Sequence, residues 1–361
     1  MSGTWGRNLR LTIFGESHGG GIGMVVDGIP AGMPVDEAAI ARDMARRAPG
    51  NDPTATARKE ADAVRILSGV YRGFTTGAPL CGVIENTNTR SQDYENIARV
   101  ARPGHADYTG FVRFGGFNDP RGGGHFSGRL TAPLVFAGAL ARQWLGQKGV
   151  EVGAHIASIG SVADGRFDPC AVTGGQLRAL QKMRFPLLDC EQEAPMRAEV
   201  DAARRNLDSV GASVECAAAG LPAGWGDPFF ESVESTIASL LFSVPAVKGV
   251  EFGTGFDLCS MRGSEANDPM RAENGRVTSL SNHNGGILGG ITNGMPLIVR
   301  AAIKPTASIA QRQQSVELLT GENADLEVRG RHDPCIALRA VPVIEAAVLL
   351  GLMERALEVE P

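Results

Sequence analysis

Two histidines in glycine-flanked segments could transfer protons. His18 lies in residues 15–19 (GESHG), and His105 lies in residues 102–107 (RPGHAD). Histidine donates or accepts a proton near neutral pH, and glycine neighbours let a ligand approach closely. Glu16 or Asp107 could orient or charge the rings. The alternative is that each histidine only satisfies a local hydrogen bond in its loop.

Cationic glycine-rich segments indicate an anionic ligand. Residues 122–131 (GGGHFSGRLT) precede a predicted helix, where backbone N–H groups together with Arg129 would bind phosphate. No Gly-Lys-Ser/Thr follows these glycines, so the segment is not a P-loop. Residues 284–294 (NGGILGGITNG) and 304–308 (KPTAS) could hold a phosphorylated, planar cofactor. A tight turn packed under the helix and a hairpin with glycine bulges are the alternatives.

A third polar segment, residues 331–335 (RHDPC), precedes the last predicted helix together with Arg339. Asp333 could cap that region or accept a proton. Arg46 and Arg47 end the first predicted helix, where they complement its dipole. His155 lies inside an apolar strand and is predicted to be structural. These patterns favour a phosphate or carboxylate ligand and proton transfer, but their spacing alone does not name a reaction.

Hydrophobic periodicity predicts the elements that must position these residues. The predicted strands are 10–14, 24–26, 64–70, 80–85, 151–158, 212–219, 247–252 and 297–303. The predicted helices are one capped by Asp36 and ending near Arg47, 131–148, 174–183, 194–207, one capped by Asp227 and Pro228, and 343–357. Residues 102–129 lack periodicity, and their interleaved aromatics and glycines indicate a functional loop. The order of elements indicates α/β or α+β layers.

Composition excludes several classes of protein. The 361 residues are 43% hydrophobic and 21% charged with a net charge of -5, which disfavours a nucleic-acid or membrane-surface protein. The six cysteines form no C-x-x-C pair, so neither a zinc site nor a redox dithiol is indicated. No apolar run approaches the ~18 residues of a membrane span, and the N-terminus lacks a signal-peptide pattern. We expect a cytoplasmic protein with no metal.

Several of these motifs together resemble the chorismate synthase family. They occur in the family's order from residue 10 to the C-terminal helix: FGESHG, RRAPG, RPGHADYTG, GGGHFSGRLTA, SNHNGGILGGITNG, KPTASI and RHDPCIALRAVPVIEA. The resemblance implies one chorismate synthase domain over residues 1–361. It also implies an α+β fold, a β-α-β sandwich that usually assembles as a homotetramer with FMN sites near subunit contacts.

The resemblance implies a lyase of the shikimate pathway. The reaction would be the 1,4-anti elimination of phosphate from 5-enolpyruvylshikimate 3-phosphate, giving chorismate, with reduced FMN (FMNH2) required although no net redox change occurs. The length suits the form that relies on a separate flavin-reducing system. The resemblance associates the chain with NADP as well. However, RRAPGNDP lacks the later arginine that some members place near Pro53, which weakens a direct nicotinamide role of this loop.

Roles carried over from the family fall on specific positions. His18 would protonate the departing phosphate, His105 would protonate or polarise the reduced flavin near N1, and Asp333 would assist the flavin N5 in removing the C6 proton. The residues implied for the substrate are Arg47, Ser127, Arg129 and Arg331. Those implied for FMN are His125, Ser127, Ala246, Gly289, Lys304, Pro305, Thr306, Ala307, Ser308 and Arg331.

One departure from the family pattern supports a competing hypothesis. Many members read GGGRSSAR, so an arginine and a serine that commonly contact the flavin are here His125 and Phe126. A divergent paralogue that binds flavin or phosphate without this chemistry is therefore the alternative class. A nucleic-acid-binding or scaffold protein is disfavoured by the acidity and by the absence of basic-aromatic stripes.

Overall fold

Two five-stranded antiparallel sheets enclose a layer of helices in the computed structural model. The structure describes residues 3–50, 52, 62–86, 99–273, 275–328 and 333–359. The helices are α1 (Glu37–Arg47), α2 (Asp107–Phe114), α3 (Thr131–Gln147), α4 (Gly174–Lys182), α5 (Glu193–Arg205), α6 (Val233–Ser243), α7 (Gly263–Ala266) and α8 (Ala337–Val359). The strands are β1 (Thr4–Trp5), β2 (Arg10–Gly15), β3 (Gly21–Asp27), β4 (Val64–Ser68), β5 (Val70–Tyr71), β6 (Phe74–Thr75), β7 (Leu80–Glu85), β8 (Glu151–Ile159), β9 (Val162–Ala163), β10 (Ala212–Ala219), β11 (Val247–Phe252), β12 (Met270–Glu273), β13 (Arg276–Ser279), β14 (Ile287–Leu288), β15 (Ile291–Thr292), β16 (Leu297–Ile303), β17 (Gln313–Val316) and β18 (Asn323–Leu326).

The first sheet has the order β1-β2-β3-β7-β4, and the second has the order β11-β16-β10-β8-β9. The remaining strands form four two-stranded hairpins. Strand β3 pairs with both β2 and β7, and β10 pairs with both β8 and β16. Each sheet therefore has a fully paired centre that fixes the loops at its ends.

Helices α3 and α8 form the middle of the sandwich. Both are apolar and buried around most of their surface, which is the pattern of a helix covered on all sides. Helix α3 contacts β3 and β7 of the first sheet and β8 of the second, while α8 contacts β8 and β10. A β-carbon at Gly138 of α3 would lie 2.4 Å from the β-carbon of Ala346, so the two helices touch at a point that only glycine permits. The predicted α+β fold with a β-α-β sandwich is confirmed.

Most predicted elements are confirmed, and four parts of the prediction differ. The predicted strand 64–70 is divided, since β4 ends at Ser68 and Val70 belongs to β5, which pairs with β6. The region 102–129 contains α2, a two-turn helix whose only buried residue is Gly110, so its sequence carries little periodicity. Helix α6 begins at Val233 with Ser232 as its cap, not at Asp227 and Pro228 as predicted, and Phe229 is 85% exposed. Helix α8 begins at Ala337 and continues through Pro342, whereas a proline favours a helix start at its own position.

Cysteines and helix hydropathy complete the description. All six cysteines are free thiols. Within the described ranges, no helix combines the length and the apolar character that a membrane span requires.

Candidate active site

A cavity of about 590 Å³ lies where sequence-distant segments meet beside the helical layer. Its walls come from the end of α1, from residues 102–106, from the glycine-rich turn before α3, from the α6–β11 connection, from the residues after β16 and from the start of α8. The volume is in the range of small-molecule sites. Elements of the second sheet and several helices thus position this cavity.

Twelve of the predicted site residues line the cavity: Arg47, His105, His125, Ser127, Arg129, Ala246, Lys304, Pro305, Thr306, Ala307, Ser308 and Asp333. Gly289 does not; it lies in the turn between β14 and β15. Arg331 falls outside the described residues. Among the described residues, the structure therefore brings together the predicted histidine, arginine, lysine and aspartate segments, apart from Gly289 and His18.

His18 lies behind the wall of the cavity. Its side chain is buried, and a β-carbon at Gly122 would lie 2.7 Å from its Nε2. Gly122 itself lines the cavity and has a φ of +60°, so only glycine permits this close contact between turn and imidazole. His18 is also among the charges that lower the pKa of Asp119, after the larger effect of the hydrogen bond from Arg121.

His105 is held by a carboxylate that an arginine also binds. Its Nδ1 lies 2.6 Å from Oδ1 of Asp107, and Nη2 of Arg102 donates to the same oxygen at 2.8 Å. Because an ionised carboxylate can only accept, Nδ1 carries the proton and Nε2 is left for ligand chemistry. Burial opposes ionisation of Asp107, but hydrogen bonds from Arg102 and His105 hold its pKa well below the ordinary value. The prediction that Asp107 could orient this ring agrees with the geometry.

Arg47 and Arg129 meet at one buried carboxylate. Nη1 of Arg47 donates to Oδ2 of Asp62 at 2.6 Å, and Nη1 of Arg129 donates to Oδ1 of the same residue. Burial, followed by the charge of Arg339, lowers the pKa of Arg47 to about 10. Burial would raise the pKa of Asp62, but the two guanidinium groups lower it. Cations thus outnumber carboxylates here, as an anion site requires.

Further contacts fix the direction of each guanidinium. Arg47 donates from Nε to the hydroxyl of Thr131 at 3.2 Å and from Nη2 to the carbonyl of Gly128 at 3.0 Å. Nε of Arg129 donates to Oδ1 of Asn86 at 3.2 Å. Both arginines therefore reach the cavity with restricted orientations.

Asp333 belongs to the same cluster. Nη1 of Arg339 donates to its Oδ2 at 2.6 Å, and the hydroxyl of Thr306 donates to its backbone carbonyl at 2.9 Å. Nε of Arg339 also donates to the carbonyl of Arg47 at 3.2 Å. The start of α8 is thereby tied both to the end of α1 and to the KPTAS segment.

The KPTAS segment contacts the loop that carries His105. Nζ of Lys304 donates to the carbonyl of Gly104, and Nη1 of Arg102 donates to the hydroxyl of Ser308 at 3.1 Å. Burial, and then the charge of Lys248, lowers the pKa of Lys304. Lys304, Lys248 of β11 and the hydroxyls of the KPTAS segment form a second cationic part of the cavity wall, whose chemistry suits a phosphate.

His125 and Phe126, which depart from the family pattern, both line the cavity. Nδ1 of His125 donates to the carbonyl of Gly15 at 2.9 Å, which ties the glycine-rich turn to the end of β2. Phe126 packs over Gly110 of α2, where a β-carbon would lie 2.7 Å from the ring. His125 therefore supplies a contact between two loops, and Phe126 supplies an apolar part of the wall.

Asp62, Asn86 and Arg339 contact predicted site residues, but the sequence analysis gave them no role, and Arg102 appeared there only within its motif. Asp62 is a single acidic residue just before β4, and Asn86 directly follows β7. No motif distinguishes them from surface residues, because their importance arises from contacts with Arg129, far away in the chain. In the described part of the chain, no cluster of histidine, cysteine and acidic residues could hold a metal ion.

The comparisons with known proteins decide the family. The chorismate synthase family model matches residues 9–357. The chain belongs to the chorismate synthase family. It is 45% identical over 350 residues to the chorismate synthase of Korarchaeum cryptofilum, covering 97% of this chain and 96% of that protein. It is 46% identical over 353 residues to that of Methanocella arvoryzae, covering 98% and 93%.

A solved structure of a chorismate synthase shares the fold. It superposes with a TM-score of 0.76 at 26% identity, covering 98% of this chain and 93% of that one. The activity is therefore that of a carbon–oxygen lyase of the shikimate pathway. It eliminates phosphate from 5-enolpyruvylshikimate 3-phosphate and gives chorismate. The chorismate synthase family uses a reduced flavin.

The residues present suit a flavin that carries a phosphate. Phe126, Phe242 and Val244 give the cavity apolar surface for a planar ring system, while Lys304 and Lys248 can neutralise a phosphate. Ala246, between these groups, has a φ of +76°, a left-handed conformation that is strained for a residue with a β-carbon. Strain of this kind concentrates at ligand sites, and the flavin contact of Ala246 stays a prediction.

Proposed function

We propose that the elimination takes place in this cavity, where Arg47, Ser127 and Arg129 bind the phosphate and carboxylates of the ester together with Arg331. The observation that carries the proposal is the convergence of Arg47 and Arg129 on Asp62, in a cavity that His105 and Asp333 also line. A substrate with several negative charges needs several fixed cations, and such charge-assisted hydrogen bonds are the strong ones.

The charges of the wall support binding of an anionic ester. Of the described residues, one carboxylate lines the cavity, that of Asp333, and those of Asp62 and Asp107 lie behind the wall. The cationic side chains in the wall are Arg47, Arg102, Arg129, Lys248, Lys304 and Arg339. Water is excluded from such a site when ligands bind, which strengthens these interactions further.

The two histidines are proposed to handle protons at different positions. His105, with its Nδ1 proton held by Asp107, presents Nε2 and can hold a proton beside the cofactor ring. His18 would supply the proton to the departing phosphate, and its imidazole lies directly behind Gly122. A nearby phosphate favours the protonated form of a histidine, which is the form that a general acid requires.

Asp333 is proposed to assist removal of the C6 proton. Its carboxylate is oriented by Arg339 and faces the same cavity. An anti elimination requires that Asp333 reach the ring from the face opposite the leaving phosphate.

Reduced FMN is the proposed cofactor, held by His125, Ser127, Ala246, Gly289, Arg331 and residues 304–308. When bound, it supplies electron density to the substrate as phosphate leaves and regains it as the C6 proton is lost. Residues 304–308 would bind its phosphate through Lys304 and the hydroxyls. Because Gly289 lies outside this cavity, its contact would have to come from another copy of the chain.

Assembly and cellular context are also proposals. We propose one functional domain over residues 1–361, a homotetramer, a cytoplasmic location and a separate flavin-reducing system. The continuous hydrophobic core, which joins residues of both sheets with α3 and α8, supports the single domain.

The direct test is an anaerobic assay with purified protein, 5-enolpyruvylshikimate 3-phosphate and chemically reduced FMN. We expect phosphate and chorismate in equal amounts, and no product with oxidised FMN. Flavin bound without turnover would instead support a paralogue that lacks this chemistry.

His105→Gln should lower kcat by about 10²–10⁴-fold, because the variant cannot hold or transfer a proton. The matched control is His283→Gln. His283 also contacts an aspartate, with its Nδ1 3.0 Å from Asp268, but it does not line the cavity. The control should keep its kcat. Equal activity of both variants would remove His105 from the mechanism.

A further inference from the structure

The two proposed phosphate-binding arginines share a single anchor. Arg47 extends from the end of α1, and Arg129 lies in the 3₁₀ turn before α3, so the backbone alone does not fix their separation. Each oxygen of the Asp62 carboxylate accepts from a different guanidinium. The separation of the two cations is therefore set by the width of one carboxylate.

We propose that Asp62 is a positioning residue for the elimination, which holds Arg47 and Arg129 at the spacing that the substrate's anionic groups require. This inference rests on the proposed function of the cavity. Asp62 is 2% exposed and does not line the cavity, so it acts through the arginines and not on the substrate.

Its backbone supports a site held in place by its contacts. Asp62 has a φ of +44°, in the left-handed region that aspartate tolerates better than most residues with a β-carbon. Such conformations persist when surrounding interactions fix them. Here the two ion pairs, between side chains that are each at most 7% exposed, supply that fixation.

Asn86 provides a second hold on Arg129 and extends the arrangement to His18. Its Oδ1 accepts from Nε of Arg129 at 3.2 Å, and its Nδ2 donates to the carbonyls of Glu16 and Gly19, each at 3.0 Å. A movement of Arg129 would therefore shift Asn86 and, through it, the loop that carries His18, the proposed proton donor. Asp62 and Asn86 together connect phosphate binding with the His18 loop.

The test is Asp62→Asn, compared with Asp43→Asn as a matched control. Asp43 also lies between two arginines, Arg46 and Arg142, but away from the cavity. Asparagine at position 62 has the same shape as aspartate, but its amide N–H would face one of the two guanidinium groups, which also donates. That arginine would lose its partner and move away from the other arginine. A displacement of a substrate-positioning group by about 1 Å can reduce enzyme efficiency by about 10²-fold. We therefore expect the KM for the ester to rise by about 10²-fold, with a smaller change in kcat.

A binding measurement separates positioning from a structural role. Calorimetric titration with the ester, in the presence of oxidised FMN, should show the same loss of affinity for Asp62→Asn, while the affinity for FMN alone stays as in the wild type. Asp43→Asn should keep both affinities and lower only the midpoint of thermal unfolding. If both variants bind the ester equally well, Asp62 is structural and the inference is wrong.

Asn86→Ala serves if Asp62→Asn does not fold. It removes the second hold on Arg129 without leaving an unpaired charge, and we expect a smaller rise in the KM for the ester. An unchanged KM would contradict the inference. If the wild-type protein itself does not convert the ester, the proposed function fails, which is a different outcome from equal binding by two variants of an active enzyme.

Discussion

Arg46 and Arg47 are consecutive residues at the end of α1, yet they serve two different charge environments. Both nitrogens of the Arg46 fork donate to Glu345, at 2.6 and 2.8 Å, in the helical core. Arg47 points toward the cavity and shares Asp62 with Arg129. The core cluster is balanced by its own carboxylates, whereas the cavity cluster keeps an excess of positive charge.

The pKa values of the two arginines shift in opposite directions. Burial opposes ionisation of both. In the core, Glu345 and then Asp43 raise the pKa of Arg46. At the cavity, the repulsion from Arg339 adds to burial and lowers the pKa of Arg47 to about 10. Balanced charge stabilises the fold, and the excess is available for an anionic ligand.

The largest expected effect is in the core cluster. Glu345 is fully buried and accepts from Arg46, from Arg142 at 2.7 Å and from the backbone N–H of Ala154 at 3.0 Å. Glu345→Gln leaves two partly buried arginines without this partner charge, which should lower the free energy of unfolding by about 3–5 kcal/mol. Urea unfolding measures this loss. The KM of the folded fraction should not change, and a raised KM would break the distinction between the two clusters.

Exchanging the neighbouring arginines for lysine tests the distinction from the other side. Arg47→Lys loses the fork that bonds Asp62, Thr131 and Gly128 together, so kcat/KM for the ester should fall by about 10²-fold. Arg46→Lys should chiefly lower the midpoint of thermal unfolding. Steady-state kinetics and thermal unfolding of both variants measure the contrast, and similar losses of activity in the two would contradict it.

A smaller effect on the free energy of unfolding, which depends on pH, is expected from a second cluster of buried charges. His155 is fully buried between Asp164, 2.8 Å from Nδ1, and Glu215, 3.0 Å from Nε2. Burial would lower the pKa of His155, but the hydrogen bonds to the two carboxylates raise it. Because the folded pKa lies above the unfolded value of about 6.5, this contribution to stability is complete below about pH 6.5. It is lost as the pH rises through the folded pKa.

Comparison with His155→Gln isolates that contribution. The stability difference between wild type and variant should shrink with rising pH, by at most about 1.4 kcal/mol per pH unit between the two pKa values. Urea midpoints measured at several pH values between about 6 and 9 provide the test. A difference that is constant over this range would show that the imidazole is not held in its charged form.

The sequence predicted most of the sandwich because its strands and buried helices carry clear periodicity. The strand Ala212–Ala219 and the helix that ends at Arg47 are found where the pattern placed them. Helix α2 was missed because it buries only Gly110 and so shows no apolar stripe. Short helices that cover a ligand site carry little of the signal on which pattern reading depends.

The candidate site was predicted from sequence motifs, so residues outside those motifs were not assigned to it. The residue pattern treats Arg46 and Arg47 alike, as cations at the end of a helix. The family resemblance assigns only Arg47 to the substrate, and packing explains why their surroundings differ. Asp62 and Asn86 belong to no motif. Both contact Arg129, which is far away in the sequence and is brought close only by the fold. Gly289 belongs to a recognised motif, but the fold places it outside the cavity.

The most direct test of the central claim is a crystal structure of the ternary complex with FMN and the ester. We expect the ester's anionic groups to lie within hydrogen-bond distance of Arg47 and Arg129, with both guanidinium groups still paired to Asp62. We also expect the flavin ring beside His105. An ester bound away from these arginines, or a flavin that does not contact residues 304–308, would contradict the account.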